Sequence, residues 1–209
     1  MASSMIHIAI ASEANKRLKR DKSKLLIGTI SPDISKLLGE KKIESHFLDG
    51  MDTNIPNLNR FLAKYQRDLD DDFVLGYYIH LFTDYLWFKY FIPELIDGNM
   101  ITKLDGTKVE YDDETFLKYV YRDYTNLNIK LIDEYNLDLK IFYNDLPRFN
   151  NIIDEIPMNK LYLIVNKVSE IVENTKEKKE LVFNLSNVNR FIDLSVKLII
   201  ANLEELNIV

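Results

Sequence analysis

Three histidines are the residues of this sequence best suited to metal chemistry, and two of them are paired with aspartates. His80 and Asp84 are four residues apart, so a helix would place both side chains on one face, about 5–6 Å apart at Cβ. His46 lies thirteen residues after Asp33, the last residue of the Gly-Thr-Ile-Ser-Pro-Asp segment 28–33. Imidazole and carboxylate groups are common ligands of divalent transition metals. These pairs therefore indicate a metal site.

Each of these residues also has an ordinary structural interpretation. A lone histidine such as His80 is often a core residue bonded to a tyrosine or a carbonyl group, and Asp33 after Ser-Pro suits a helix cap. His46 and His7 carry little information singly. Asp84 favours the metal-binding interpretation over the structural one, because an unpaired buried carboxylate is costly and a cation offsets that cost. We therefore expect the histidines and aspartates to act together.

The element that must position His80 is a predicted central helix over residues 71–93. It begins with three aspartates, which suit the positive end of a helix dipole, and it is expected to end against Pro93. It is apolar on nearly all sides, as in a helix surrounded by its neighbours. Glycine inside a helix costs about 1 kcal/mol relative to alanine. Gly76, one turn before His80, therefore predicts the close approach of another segment.

Helical periodicity dominates the rest of the chain. Further helices are predicted at 6–20, from about 58 to 69, and at 113–136, 157–176 and 186–206. Ser3 or Ser4 is the expected N-cap of the first helix and Ser186 that of the last, while Pro32 ends an apolar run at 25–30. A small β-hairpin or a long loop is expected around 98–111. The prediction is an all-α, single-domain helical bundle over residues 1–209.

Composition limits the function classes. The chain has 46% hydrophobic residues, a formal net charge of −6 and no cysteine, which fits one globular domain and excludes disulfides and Cys-ligated metal centres. The acidic balance gives no strong nucleic-acid signal. No signal peptide is recognised at the amino terminus, and the longest apolar region, 73–88, is short for a transmembrane segment. We expect a cytoplasmic protein, with the oligomeric state left open.

The order and spacing of the histidines and aspartates resemble the zinc-dependent phospholipase C family. The pattern runs through His7, the segment 28–33, Ser-His-Phe at 45–47, and the Gly-x-x-x-His-Leu-x-Thr-Asp-x-x-Trp segment 76–87, so it covers about the first ninety residues. This family is related to the fungal zinc nucleases that cut single strands. Its fold is an all-α bundle, and the chain resembles a cytoplasmic bacterial-type member.

The resemblance implies a ligand set and a reaction. One ion, expected to be zinc, would be held by Asp33, His46, His80 and Asp84. Asp84 would also bridge to a second ion bound by His7. The implied activity is the hydrolysis of phosphodiesters or phosphomonoesters by metal-activated water, with Asp33 taking the proton from the attacking water. The expected partner is a small phosphorylated substrate of unknown identity.

The chain departs from the family at the third ion, and other interpretations stay open. Secreted members hold a third ion with two more histidines and a glutamate beyond the central helix, whereas this chain has no histidine after His80. One or two divalent ions are therefore expected, with Asp123 as a candidate extra carboxylate or an ordinary ion-paired residue. A phosphohydrolase of the HD type is disfavoured because no His-Asp pair is adjacent. The remaining alternative is a non-catalytic helical metal-binding or interaction module.

Overall fold

The structure, a computed structural model, describes residues 2–176 and 178–209, and it is mostly helical, with 61% of residues in helices and 4% in strands. The α-helices are α1 Ser4–Leu18, α2 Lys22–Ile30, α3 Ile34–Leu37, α4 Leu58–Tyr65, α5 Asp72–Leu86, α6 Ile92–Glu94, α7 Asp113–Thr115, α8 Tyr121–Glu134, α9 Leu161–Glu173 and α10 Leu185–Glu205. Short 3₁₀ turns occur at Ser31–Asp33, Gln66–Asp68, Lys140–Phe142 and Met158–Lys160, and π-helical segments at Trp87–Phe91 and Phe116–Val120. The predicted helical architecture is confirmed at this level.

The first helix shows why the predicted and observed bounds differ by about two residues. Ser3 caps α1 by accepting a hydrogen bond from the backbone N–H of Ile6, so the helix begins at Ser4. It ends at Leu18 because Lys19 adopts the left-handed conformation, with φ of 56°. Nearly all of the first three turns of α1 are buried, which places His7 inside the molecule.

Helices α2 and α5 pack against each other at two glycines. A Cβ atom on Gly28 would overlap the carbonyl oxygen of Phe73, and one on Gly76 would overlap that of Leu25. The expected close approach at Gly76 is therefore confirmed, and the approaching segment is α2. Thr29 joins the two helices, since its hydroxyl donates to the carbonyl oxygens of Leu25 and Gly76 at 2.8 and 3.2 Å. This contact brings the end of α2 beside the middle of α5.

The central helix does not stop at Pro93. Helix α5 ends at Leu86, the π-helical segment Trp87–Phe91 follows, and Pro93 lies in the first turn of α6. Proline is tolerated in a first turn because its missing N–H would have no intrahelical partner there. The wider π turn carries the chain across the junction and buries Trp87, whose indole N–H donates to the Tyr124 hydroxyl at 3.1 Å.

The predicted hairpin around 98–111 is part of a three-stranded antiparallel sheet. Its strands β1 Ile96–Asp97, β2 Met100–Thr102 and β3 Lys108–Glu110 are paired in chain order. Ile101 pairs with both Ile96 and Val109, and it is the fully buried residue of the sheet. The sheet is thus a small addition to the helical bundle, and its Ile101 side chain packs into the helical core.

The predicted cap of the last helix at Ser186 is wrong. Asn184 caps α10, because its side chain accepts from the backbone N–H of Asn187 while the Asn187 side chain accepts from that of Asn184. This reciprocal pair places the cap two residues earlier than Ser186. Among the residues that the structure describes, no helix is long and apolar enough to cross a membrane.

Candidate metal centre

His80 presents one ring nitrogen to the interior of the cluster. Its Nδ1 lies 2.7 Å from the Thr29 carbonyl oxygen. Because a carbonyl can only accept, Nδ1 carries the proton and the neutral ring keeps a lone pair on Nε2. Burial, together with the charge of the neighbouring His7, lowers the pKa of His80 to about 3. The α2–α5 contact therefore fixes both the orientation and the neutral state of this histidine.

Asp84 lies one helical turn further along α5 and is fully buried. Its Oδ1 accepts a hydrogen bond from the Ala2 backbone N–H at 2.9 Å and lies 3.3 Å from His7 Nε2. Its Oδ2 lies 3.6 Å from His80 Nε2 and has no hydrogen-bond donor in the described part of the chain. Burial alone would raise the pKa of Asp84, but nearby positive charge and the His7 imidazole hold it well below the usual range.

His46 reaches the cluster from the segment between α3 and α4. The Ser45 hydroxyl donates to Ser35 Oγ at 3.0 Å and lies 2.9 Å from His46 Nδ1, so its oxygen can accept a hydrogen bond from that nitrogen. With the proton on Nδ1, the lone pair of His46 Nε2 faces that of His80 Nε2 at 3.3 Å. Two lone pairs at this distance repel each other unless a cation lies between or beside them. Tyr77 secures the segment by donating its hydroxyl to the Ser45 carbonyl.

Asp33 lies at the junction between the 3₁₀ turn Ser31–Asp33 and α3, and its side chain makes no cap. Its Oδ1 is 3.5 Å from His46 Nε2 and 3.8 Å from Lys36 Nζ. Burial would raise the pKa of Asp33, but the adjacent His46 imidazole and the Lys36 charge hold it below the usual range. Asp33 is 9% exposed, whereas His80 and Asp84 are fully enclosed. It is therefore the member of the cluster nearest to solvent.

His7 completes the cluster from α1. Its ring stacks on that of His80, with centroids 3.9 Å apart and planes 7° from parallel. Neither of its ring nitrogens has a hydrogen-bond partner among the described residues, although Nε2 lies beside Asp84 Oδ1. A histidine buried without partners is unusual, because each unsatisfied polar group costs about 1–3 kcal/mol.

The donor set fits a divalent cation. Ligand atoms of His7, His80 and Asp84 lie within 4.8 Å of one another, and so do those of Asp33, His46 and His80. The buried atoms that lack hydrogen-bond partners in the described chain include both His7 nitrogens, Asp33 Oδ1 and Asp84 Oδ2. Metal ions bound here would satisfy one His7 nitrogen and the two carboxylate oxygens. The buried histidines and aspartates could therefore hold one, with His80 common to both groups.

The structure does not bring Asp123 to this cluster. Its carboxylate accepts hydrogen bonds from the backbone N–H groups of Leu181, Val182 and Phe183 at 2.6–3.2 Å, and from the Asn126 amide at 3.0 Å. Burial raises the pKa of Asp123, and these donors act in the opposite direction. The carboxylate thereby anchors the chain immediately before α10 to α8.

A cavity of about 370 Å³ lies beside the cluster, between the start of α1 and helices α3, α8 and α9. Asp33 lines it and so connects the buried ligands with solvent. Lys36, Tyr124 and Asn128 also line it, and none of them was anticipated from the sequence. Only Lys36 had a local signal, since it follows Asp33 by three residues on the same helical face. The others come from a helix distant in the chain.

Comparisons of the chain with protein-family models, with curated proteins and with solved structures found no match. The fold and the site by themselves define a class: a mostly helical protein with a buried cluster of histidines and aspartates that could hold a metal ion.

Proposed function

We propose that this protein is a metal-dependent hydrolase of phosphoric esters. One or two divalent ions, zinc foremost, would be held by His7, Asp33, His46, His80 and Asp84. The observation that carries the proposal is the set of buried nitrogen and carboxylate atoms that face one another without hydrogen-bond donors, at the wall of a cavity. The resemblance to the zinc-dependent phospholipase C family, including its all-α fold, supports the same assignment.

The chain's own groups have distinct tasks in this proposal. Bound ions would supply Lewis-acid polarisation of a phosphoryl oxygen and would lower the pKa of a water ligand toward about 7. Thr29 holds the proton on Nδ1 of His80, so that its Nε2 stays available at neutral pH. Ser45 Oγ lies 2.9 Å from His46 Nδ1 and can accept a hydrogen bond from it, which would leave Nε2 of His46 for a metal ion. Asp33, ionised and facing the cavity, is placed to accept the proton of the attacking water.

The phosphoric ester is favoured over other substrates by charge. Lys36 lies beside Asp33 at the cavity wall, and Asp33 holds the pKa of its ammonium group above the usual range, so the lysine stays cationic. A lysine next to divalent ions makes that end of the cavity positive, although the chain as a whole is acidic. Developing negative charge on a phosphoryl group would be stabilised there.

The alternative is a non-catalytic metal-binding module, and one observation favours it. His7, His46, His80 and Asp84 are each at most 1% exposed, as in structural sites whose coordination is completed by protein atoms. The position of Asp33 at the cavity favours the hydrolase, because a catalytic site keeps one position for water. In the hydrolase, small anions would reach the bound ion; in the non-catalytic module, they would not.

The test combines metal content with activity. The tag-free chain, loaded with zinc, manganese or iron, is assayed on a panel of phosphomonoesters and phosphodiesters beside the His80→Ala variant. We expect turnover that disappears on chelation, returns with metal, and is absent from the variant. Stoichiometric metal without turnover on any ester would contradict the hydrolase and favour the module.

A further inference from the structure

The cavity beside Asp33 has chemical features that the metal cluster does not use. Its volume of about 370 Å³ is at the lower end of the range of about 300–1,000 Å³ typical of small-molecule sites. Its walls are the amino-terminal turn of α1, α3, α8 and α9. A site of this size takes a small molecule rather than a segment of a polymer.

The charged groups of the cavity wall are paired to different extents. At the end next to the cluster, Lys36 Nζ is 3.8 Å from Asp33 Oδ1, beyond hydrogen-bond distance, so its N–H groups can also reach an anion. At the α9 side, Lys167 and Glu170 form an ion pair at 3.0 Å, which neutralises both charges. The cavity is therefore suited to a ligand that offers an anionic group to Lys36 and is otherwise neutral.

Asn128 supplies a second, independent feature. This residue of α8 is only 4% exposed and lines the cavity. Its amide nitrogen donates to the Thr175 hydroxyl at 3.2 Å, while its Oδ1 is buried and accepts no hydrogen bond from the described residues. A buried acceptor without a donor is costly, and a ligand O–H or N–H group would satisfy it.

Tyr124 adds a hydroxyl group to the cavity wall. The Trp87 indole donates to its oxygen at 3.1 Å, so the hydroxyl proton of Tyr124 is directed toward another acceptor. Burial raises the pKa of Tyr124 well above its usual value, so the group remains a neutral donor. It lines the same cavity as Asp33.

We propose that the substrate is a phosphoric monoester of a small alcohol that carries its own hydrogen-bond donors. Lys36 binds the phosphoryl oxygens beside the cluster, and Asn128 Oδ1 accepts a hydrogen bond from the alcohol portion. A monoester fits better than a diester for two reasons. Its phosphoryl group carries two negative charges for Lys36 to bind, and its single alcohol portion fills the single cavity. This inference rests on the proposed hydrolase function and names its substrate class.

Inorganic phosphate, the product common to all such substrates, tests the role of Lys36. Binding of phosphate to the metal-loaded chain is measured by calorimetry, without free metal in solution. We expect Lys36→Met to raise the Kd about 10- to 100-fold, the range for a charge-assisted hydrogen bond. Lys167→Met is the matched control, since it removes a lysine from the same cavity, and it should change the Kd less than about twofold.

Asn128 is tested with substrates. Asn128→Leu should raise the KM for monoesters of donor-bearing alcohols about tenfold, leaving the phosphate Kd unchanged. Thr175→Val removes the same Asn128–Thr175 hydrogen bond but keeps Oδ1, and it should leave the KM unchanged. Equal phosphate affinity in the Lys36→Met variant, or faster turnover of bis(p-nitrophenyl) phosphate than of every monoester, would overturn the inference while leaving a metal-dependent phosphoesterase in place. A chain that takes up no metal would instead overturn the proposed function.

Discussion

Two buried carboxylates in this protein have opposite surroundings. Asp84 on α5 and Asp123 on α8 are both fully enclosed. Asp123 accepts hydrogen bonds from three consecutive backbone N–H groups and from Asn126, so the protein itself satisfies its charge. Asp84 is surrounded by three histidines and keeps one oxygen without a donor in the described chain. Burial alone thus does not single out a candidate ligand; an oxygen without a donor does.

The largest expected effect is the loss of metal from His80→Ala. His80 belongs to both candidate ligand groups, so its removal leaves neither complete. We expect metal affinity to decrease by more than about 100-fold, since even residues that only orient ligands contribute about 10- to 100-fold. Thermal stability should also decrease. Elemental analysis and a melting curve check this, and a full metal load in the variant would show that the ligand assignment is wrong.

Asparagine substitutions separate the two carboxylates directly. Asp123→Asn should lower the free energy of unfolding by about 2–4 kcal/mol, because its amide group points N–H against the backbone donors of residues 181–183. Metal content should stay unchanged. Asp84→Asn should remove most of the metal but should affect the metal-free protein less, since its side-chain oxygen can still accept from the Ala2 N–H. Denaturant unfolding and metal analysis of both variants measure the difference. If both variants lost metal and stability to the same extent, the two carboxylates would not have different roles.

The contact between α2 and α5 is the next most sensitive feature. Gly76→Ala places a methyl group against the Leu25 carbonyl, and Gly28→Ala does the same against Phe73, so either should push the helices apart. We expect a loss of about 1–3 kcal/mol in stability. Metal affinity should also fall, because the Thr29 carbonyl would no longer orient His80. If stability falls in both variants while metal affinity is unchanged, then the orientation of His80 does not depend on this contact.

The smallest expected effect is a pH dependence of the metal-free protein. Since burial lowers the pKa of His80 from 6.5 to about 3, the unfolded chain binds its proton more readily between those values. Stability should therefore decrease as the pH falls from about 6.5, by about 2 kcal/mol on reaching about pH 5. The Asp33 and Asp84 contributions are lost only below the ordinary carboxyl pKa of 3.8, so they do not overlap. Unfolding of His80→Gln, measured in parallel, should show a weaker dependence.

The sequence was sufficient for the helical class and for the residues that meet in the cluster. The spacing of His80 and Asp84 places them on one face wherever the segment is helical, and Gly76 signalled the approach of α2. The orientation of His80 was not predictable, because it depends on the Thr29 carbonyl, and every residue has a carbonyl group. Asp123 was equally ambiguous, since its three backbone donors lie 58–60 residues away in the chain.

The sequence also could not show which of two suitable residues caps a helix, or where the central helix ends. Ser186 and Asn184 are both good cap residues, and the structure uses Asn184 because Asn187 returns the hydrogen bond. Pro93 was expected to end the central helix, but a π-helical segment places it in the first turn of α6, where proline is tolerated. In both cases the outcome depends on the geometry of the neighbouring turn rather than on residue type.

The most direct test of the cluster is the metal content of the purified protein, prepared without a histidine tag and dialysed exhaustively. The account predicts one to two equivalents of zinc, iron, manganese or nickel, retained by Asp123→Asn and lost from His80→Ala. A chain that contains no metal and takes none up on titration would contradict it, and the histidines would then be residues of an ordinary core.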